Sequence, residues 1–230
     1  MSEVEIFSAE VCPYAQRTRM VLIEKGVDFS LREIDLADKP DWFLDISPYS
    51  KVPVIRHQGR VVYESAIINE YLDEVFAAPP LMPEAPGARA TARIWIDFMN
   101  MKLLPCFYRL LMAQQSEQRA REGETLTAHF RLMEAAMGVE SAGPYWFGGQ
   151  LTLTDLSLFP WFERLPALEH YRGVVLPEEC TRLKSWFAAM EQTKSARETT
   201  NGAEYHIDAY AKYADNTADG ISAREFRASA

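Results

Sequence analysis

The chain is poor in residues that cross-link, coordinate metals or span membranes. Cysteine occurs three times in 230 residues, at Cys12, Cys106 and Cys180. That odd, sparse set excludes a disulfide framework and fits a reducing compartment. The four histidines, His57, His129, His170 and His206, lack the shared spacing of a metal site, so no metal is expected. No stretch approaches the roughly 20 apolar residues that cross a bilayer. The opening Met1-Ser2-Glu3-Val4-Glu5 lacks the basic-then-apolar build of an export signal, and a cytoplasmic protein is expected. Positive charge is scarce too: 24 Lys and Arg against 33 Asp and Glu give a formal net charge of -9. This balance argues against a large nucleic-acid-binding face. Any anionic ligand must therefore be met by cations and helix N-termini gathered locally.

What is present is core material. The composition is 48% hydrophobic and 12% aromatic, and the length suits two compact domains sharing an interface. Strand and helix signals alternate in the first third. Residues 4–8 read as a strand. Pro13 then opens a helical pattern with apolar Met20, Val21 and Ile23, stopped by Gly26. Residues 29–36 read as a second strand and 41–46 as a short helix. Residues 51–57 and 61–63 flank Gln58-Gly59 as a hairpin, and Ser65 caps a helix to about Phe76. The order is βαβαββα.

Four prolines (Pro79, Pro80, Pro83, Pro86) mark 77–87 as a stiff linker. The remainder reads as helical: 88–115 bent at Pro105, then a helix with Leu126, Phe130, Met133 and Met137 on one face. Thr152 and Asp155 form a capping-box variant ahead of Leu156, Phe159 and Phe162. A helix over 178–191 turns Cys180, Leu183, Phe187 and Met190 inward. Past Thr200, Tyr205, His206, Tyr210 and Tyr213 suggest one last helix.

Cys12 precedes Pro13, where the first strand hands over to the first helix. There it faces unpaired backbone N–H groups and the positive end of the helix dipole. These can lower a thiol pKa to ~3.5–7.5 from about 8.5, with Arg17 and Arg19 adding to the effect. A reactive Cys12 of low pKa is expected, the alternative being a small buried hydrophobe. Val52-Pro53 fits a cis peptide that exposes the Val52 backbone to a ligand, or an ordinary edge-strand proline. Glu64-Ser65 fits a carboxylate site at a helix N-terminus, or a plain cap. Ser8, at the end of the first strand, is a candidate activator of a substrate thiol, less well placed than Cys12. Cys106 and Cys180 sit on apolar faces and read as inert.

Taken together at their spacing, these features resemble the glutathione transferases, the omega class most. The segments that carry the resemblance are Cys12-Pro13-Tyr14-Ala15-Gln16-Arg17-Thr18-Arg19, Lys39-Pro40-Asp41-Trp42-Phe43, Val52-Pro53-Val54, Tyr63-Glu64-Ser65-Ala66-Ile67 and Pro160-Trp161-Phe162-Glu163-Arg164-Leu165. The resemblance implies an α/β plus all-α architecture, the glutathione transferase fold. A thioredoxin-like glutathione-binding domain (1–76) and the linker (77–87) precede a helical domain (88–230) that holds the second-substrate site.

The resemblance also implies roles. Cys12 forms a mixed disulfide with glutathione. Val52, ahead of Pro53, pairs its backbone with the cysteinyl part. Glu64 reaches the γ-glutamyl amine, Ser65 its carboxylate, and Lys39 the glycine carboxylate. Tyr14 lines the site where omega members commonly carry Phe. With no second cysteine in Cys12-Pro13-Tyr14-Ala15, a second glutathione must resolve the mixed disulfide. Expected substrates are small disulfides, dehydroascorbate or S-glutathionyl carbonyl compounds, and a homodimer is implied. The alternative is a resemblance to stringent starvation protein A, a transferase-fold protein that binds RNA polymerase. It rests on Glu70-Tyr71-Leu72-Asp73-Glu74 and Pro79-Pro80-Leu81-Met82-Pro83. That family lacks the Cys-Pro pair.

Overall fold

The computed structural model describes residues 3–140 and 142–228; the outermost residues of the two expected domain spans, 1–2 and 229–230, lie outside them. The first third folds in the expected order: β1 (Val4–Ser8), α1 (Pro13–Glu24), β2 (Phe29–Glu33), α2 (Phe43–Ile46), β3 (Val54–His57), β4 (Arg60–Tyr63) and α3 (Ser65–Val75). The sheet order is β2-β1-β3-β4. β1 runs parallel to β2 and antiparallel to β3, with Ile6 opposite Ile55. As one of the two inner strands, β1 is apolar on both faces. Val4 and Ile6 enter the main core, while Phe7 enters a smaller one with Phe43 and Val54. β2 stops at Glu33, short of the expected 36, because its partner β1 ends at Ser8. Gln58 and Gly59 both take positive φ (49° and 78°), as a two-residue hairpin turn of type I′ requires.

α1 is the most enclosed element of the first domain, with Pro13 and Ala15 through Leu22 all buried. It packs on α3 and on two helices from the second half of the chain, α7 (Leu153–Glu163) and α10 (Lys194–Thr199). Leu22, rather than the expected Ile23, is the fully buried residue near its end.

The linker is shorter than 77–87. Proline at the first helical position starts a helix rather than preventing one, and α4 (Pro86–Phe98) begins at Pro86. Residues 77–85 are stapled on two sides. Buried Lys25 pairs with Asp73 and donates from Nζ to the carbonyls of Phe76 (2.7 Å) and Pro79 (2.6 Å). Asp73 accepts the backbone N–H groups of Leu81 and Met82. From the helical domain, the Leu153 N–H donates to Leu81 O and the Gln150 amide to Pro80 O.

In place of one bent helix over 88–115, α4 runs into a wider π turn, Met99–Leu103, and then α5 (Leu104–Met112). Pro105 has no N–H to return to the preceding turn, and the helix widens just before it. α6 (Ser116–Glu140) buries Leu126, Phe130, Met133 and Met137 as expected. α8 (Leu165–Arg172) and α9 (Thr181–Met190) follow; on α9 Trp186 is buried, and Phe187 only partly. After α10, the tail past Thr200 forms α11 (Ala203–Ala214) and α12 (Ile221–Ala228), two helices where one is expected.

The capping box at α7 does more than start a helix. Buried Asp155 accepts from the N–H and hydroxyl of Thr152, the N–H of Trp146 (2.7 Å) and the indole N–H of Trp186 (2.9 Å). Burial pushes its carboxyl above the ordinary range, with these four donors pulling the other way. Asp155→Ala would strand buried donors on three segments and should cost about 3 kcal/mol or more in urea unfolding. Asp155→Asn keeps one acceptor oxygen and should cost less. Equal, small losses in both would reduce Asp155 to an ordinary cap.

Candidate functional site

Cys12 occupies the N-cap of α1 in extended backbone (φ -82°, ψ 115°), with Pro13 at the first helical position. Its side chain is partly exposed and lines a cleft of about 510 Å³. The thiol donates to the carbonyl of Val52 at 3.7 Å. The Val52-Pro53 peptide is cis, and both residues line the same cleft.

The expected low pKa is not what the free site has. Burial pushes the Cys12 thiol above its ordinary value. The N–H groups of Ala15 and Tyr14 and the charges of Arg164 and Arg19 pull it down without overcoming that cost. A helix start stabilises a thiolate only insofar as water is not lost elsewhere around the sulfur, and sequence cannot report that loss.

Ser65 is likewise not the cap. Glu64 holds the N-cap position of α3 with a positive φ of 67°, a conformation that costs a non-glycine residue roughly 1–3 kcal/mol. Ser65 is the first helical residue, and its Oγ accepts twice from Arg17, from Nε (2.9 Å) and Nη2 (2.6 Å). With its acceptor side occupied by a cation, the hydroxyl hydrogen is left to be donated to another group. Arg17 also donates to Asn100 Oδ1 (3.2 Å), and its guanidinium lies 5.3 Å from the Tyr14 ring centroid. Among the described residues no carboxylate forms an ion pair with it. Burial lowers its pKa to about 10, against the influence of Tyr14, Cys12 and Glu64. A buried cation without a carboxylate, behind an oriented hydroxyl, is chemically able to receive an anion.

A second group of cations gathers on another part of the cleft wall. Lys39 donates from Nζ to Ser50 O (2.9 Å); burial and the charge of Arg224 lower its pKa. Lys51 pairs with Glu225 of α12 at 2.8 Å. α12 is held to the helical domain by Phe226, which stacks on Tyr108 at 4.3 Å. Tyr14, Met101, Tyr213, Ile221 and Phe226 give the cleft an apolar flank. Tyr14 meets Trp161 edge-on at 5.0 Å, and burial keeps its hydroxyl protonated.

The cleft therefore brings together all seven expected site residues: Cys12, Tyr14, Lys39, Val52, Pro53, Glu64 and Ser65. Sequence reasoning missed Lys51, Asn100, Tyr213 and Phe226, and gave Arg17 to the thiol rather than to Ser65. The Tyr205–Tyr213 aromatic spacing was a usable signal for Tyr213; nothing local marks Phe226. Ser8 is fully buried and does not line the cleft.

Comparison with known proteins bears on the family and the fold. A family model described as "Glutathione S-transferase, N-terminal domain" matches residues 11–75, and one described as "Glutathione S-transferase, C-terminal domain" matches 116–189. Glutathione S-transferase omega-1 of Sus scrofa is 34% identical over 188 residues, 81% of this chain and 76% of that one. Among solved structures, the Tau class glutathione S-transferase of mango, Mangifera indica, is 26% identical with a TM-score of 0.86, covering 92% of this chain and 98% of that one. Rice GST1, solved in complex with glutathione, is 33% identical with a TM-score of 0.82, covering 90% and 95%.

The thiols separate cleanly by environment. Burial pushes Cys106 up to about 12 and raises Cys180 as well, and neither side chain reaches the surface. Iodoacetamide should label Cys12 alone in the folded protein, at a rate still rising through the pH range where free cysteine ionises, about 8.5. A midpoint well below that value would show that the N–H groups and arginines outweigh burial.

Proposed function

Because the chain belongs to the glutathione S-transferase family, we propose that it is a glutathione-dependent thiol transferase or reductase of omega type with Cys12 as its nucleophile. The observation that carries this reading is the position of the Cys12 sulfur. It lies at a helix start, open to the cleft and beside the Val52 backbone, while both other cysteines are buried.

The Cys12 thiolate attacks the glutathionyl sulfur of a mixed disulfide, forming a Cys12–glutathione disulfide and expelling the other thiol as its thiolate. A second glutathione thiolate attacks the glutathionyl sulfur of that adduct, releasing oxidised glutathione and regenerating Cys12. With dehydroascorbate, two glutathiones supply the two electrons and two protons that make ascorbate.

In this reading residues 1–76 bind glutathione and 88–230 contribute the second-substrate wall. Val52 pairs with the cysteinyl backbone. That ligand N–H takes up the carbonyl to which the free thiol donates, removing an acceptor that favours the protonated form. Glu64 meets the γ-glutamyl amine. Ser65, with Arg17 behind it, meets the carboxylate, and Lys39 meets the glycine carboxylate. The flank of Tyr14, Tyr213 and Phe226 suits an apolar or aromatic second substrate. We further propose a homodimer: Ile67 and Ile94, neither of which lines the cleft, are each more than 60% exposed and offer a second copy apolar surface.

Two variants test the assignment. Cys12→Ser should abolish thiol transfer and the single glutathionyl adduct formed with oxidised glutathione, while glutathione binding survives. Turnover persisting in that variant would refute the mechanism. Ser65→Ala should weaken glutathione binding by about tenfold or more, since a charge-assisted hydrogen bond contributes roughly 1.5–3 kcal/mol. It should also lower the melting temperature, because two donors of buried Arg17 lose their acceptor. Calorimetric titration with unchanged affinity would leave Ser65 a purely structural partner of Arg17.

A further inference from the structure

Next to the Cys12 turn, and outside the lining of the cleft, four polar side chains from both halves of the chain form one buried cluster. Gln16, in the first turn of α1, is gripped at both ends of its amide. Its oxygen accepts from Arg164 Nη1 (2.6 Å), and its nitrogen donates to Glu163 Oε2 (2.5 Å). Glu163 Oε1 also accepts from the N–H of Asn201 (3.0 Å) and lies 2.6 Å from His206 Nε2. Because the carboxylate can only accept, Nε2 carries the proton there. Arg164, fully buried between α7 and α8, also donates to backbone, from Nη1 to Pro160 O (2.6 Å) and from Nη2 to Val11 O (3.3 Å), while its Nε has no hydrogen-bond partner among the described residues. Val11 is the residue before the nucleophile, and Gln16 returns its N–H to Cys12 O. The guanidinium thus reaches the chain on both sides of Cys12.

We propose that Arg164 is a positioning residue for Cys12. From the helical domain it fixes the Val11–Gln16 turn and supplies a positive charge that offsets the burial of the thiolate. How much of that charge the sulfur feels depends on Glu163, whose Oε2 lies 3.5 Å from Arg164 Nη1. His206, Gln16 and Asn201 draw on the same carboxylate and, with Arg164, hold it ionised below the ordinary range despite its burial. The other groups facing Arg164 are Tyr205 and Tyr210, whose hydroxyls burial keeps neutral, and Arg19, whose own charge answers to Glu33 and Glu10. The thiol pulled down by Arg164 and Arg19 is the same group that burial pushes up. A thiolate opposite an arginine left unneutralised would be stabilised further.

The proposal deepens the assignment of Cys12 as nucleophile and rests on it. Its test needs neither glutathione nor turnover, so the two can fail separately. The rate of Cys12 alkylation by iodoacetamide is followed against pH by peptide mass spectrometry in the full chain, with near-ultraviolet circular dichroism confirming the fold. Arg164→Met should raise the midpoint by about half a pH unit or more, and Arg164→Lys, which keeps the charge, should stay near the parent. Glu163→Gln should move the midpoint the opposite way, down, because it frees the charge of Arg164. A merely structural cluster gives shifts of one sign or none, and either result would overturn the proposal. If Arg164→Met does not fold, Glu163→Gln decides alone: a midpoint unchanged or raised rejects it.

Discussion

The enclosure of α1 governs the rest of this molecule. Four consecutive polar residues, Gln16, Arg17, Thr18 and Arg19, lie buried on a helix covered by protein all round. Successive side chains leave a helix about 100° apart, so these four point in four directions and each must find its own partner. Gln16 finds Glu163 and Arg164; Arg17 finds Ser65 and Asn100; Thr18 finds Asn69; Arg19 finds the Glu10 carbonyl. An unmet buried polar group costs about 1–3 kcal/mol and an unmet charge more. The docking of the helical domain, the aim of Ser65 and the seat of Cys12 are therefore set by the same dozen or so atoms. Structure and site cannot be varied independently here.

Charge is organised against the overall balance. An acidic chain of net charge -9 assembles two cationic stations in its cleft by different means. Arg17 is buried and desolvated, and donates twice to the hydroxyl of Ser65. Lys39 and Lys51 lie nearer water, one bonded to a carbonyl and the other to Glu225. The first station favours geometric discrimination and the second tolerates exchange, because an exposed ion pair contributes little and yields readily to another anion.

What the sequence disclosed follows the range of the interactions involved. The N-cap cysteine, the Gln58-Gly59 turn, the Thr152/Asp155 box and the face carrying Leu126 to Met137 are all written within a few residues, and each appears in the structure. The proton affinity of Cys12, the partner of Ser65 and the gripping of Gln16 depend on residues about 40 to 150 positions away, and local pattern carries no trace of them. The tail is a third case. Its aromatic spacing signals a helix at Tyr205 to Tyr213 and says nothing of the short helices at Lys194 and Ile221. They are stabilised by what they lie on: α10 by α1, and α12 by the Tyr108 ring.

The clamp at Lys25 and Asp73 changes what the proline-rich segment is. A linker is ordinarily the place where a two-domain chain can be hinged, lengthened or cut. Here Leu81 and Met82 are buried, their N–H groups are held by the first domain, and the carbonyls of Pro80 and Leu81 are held by the second. The segment works as mortar rather than as a joint. A chain nicked there would lose its continuity and keep its assembly, and neither half could be exchanged for a foreign one without carrying the seam along.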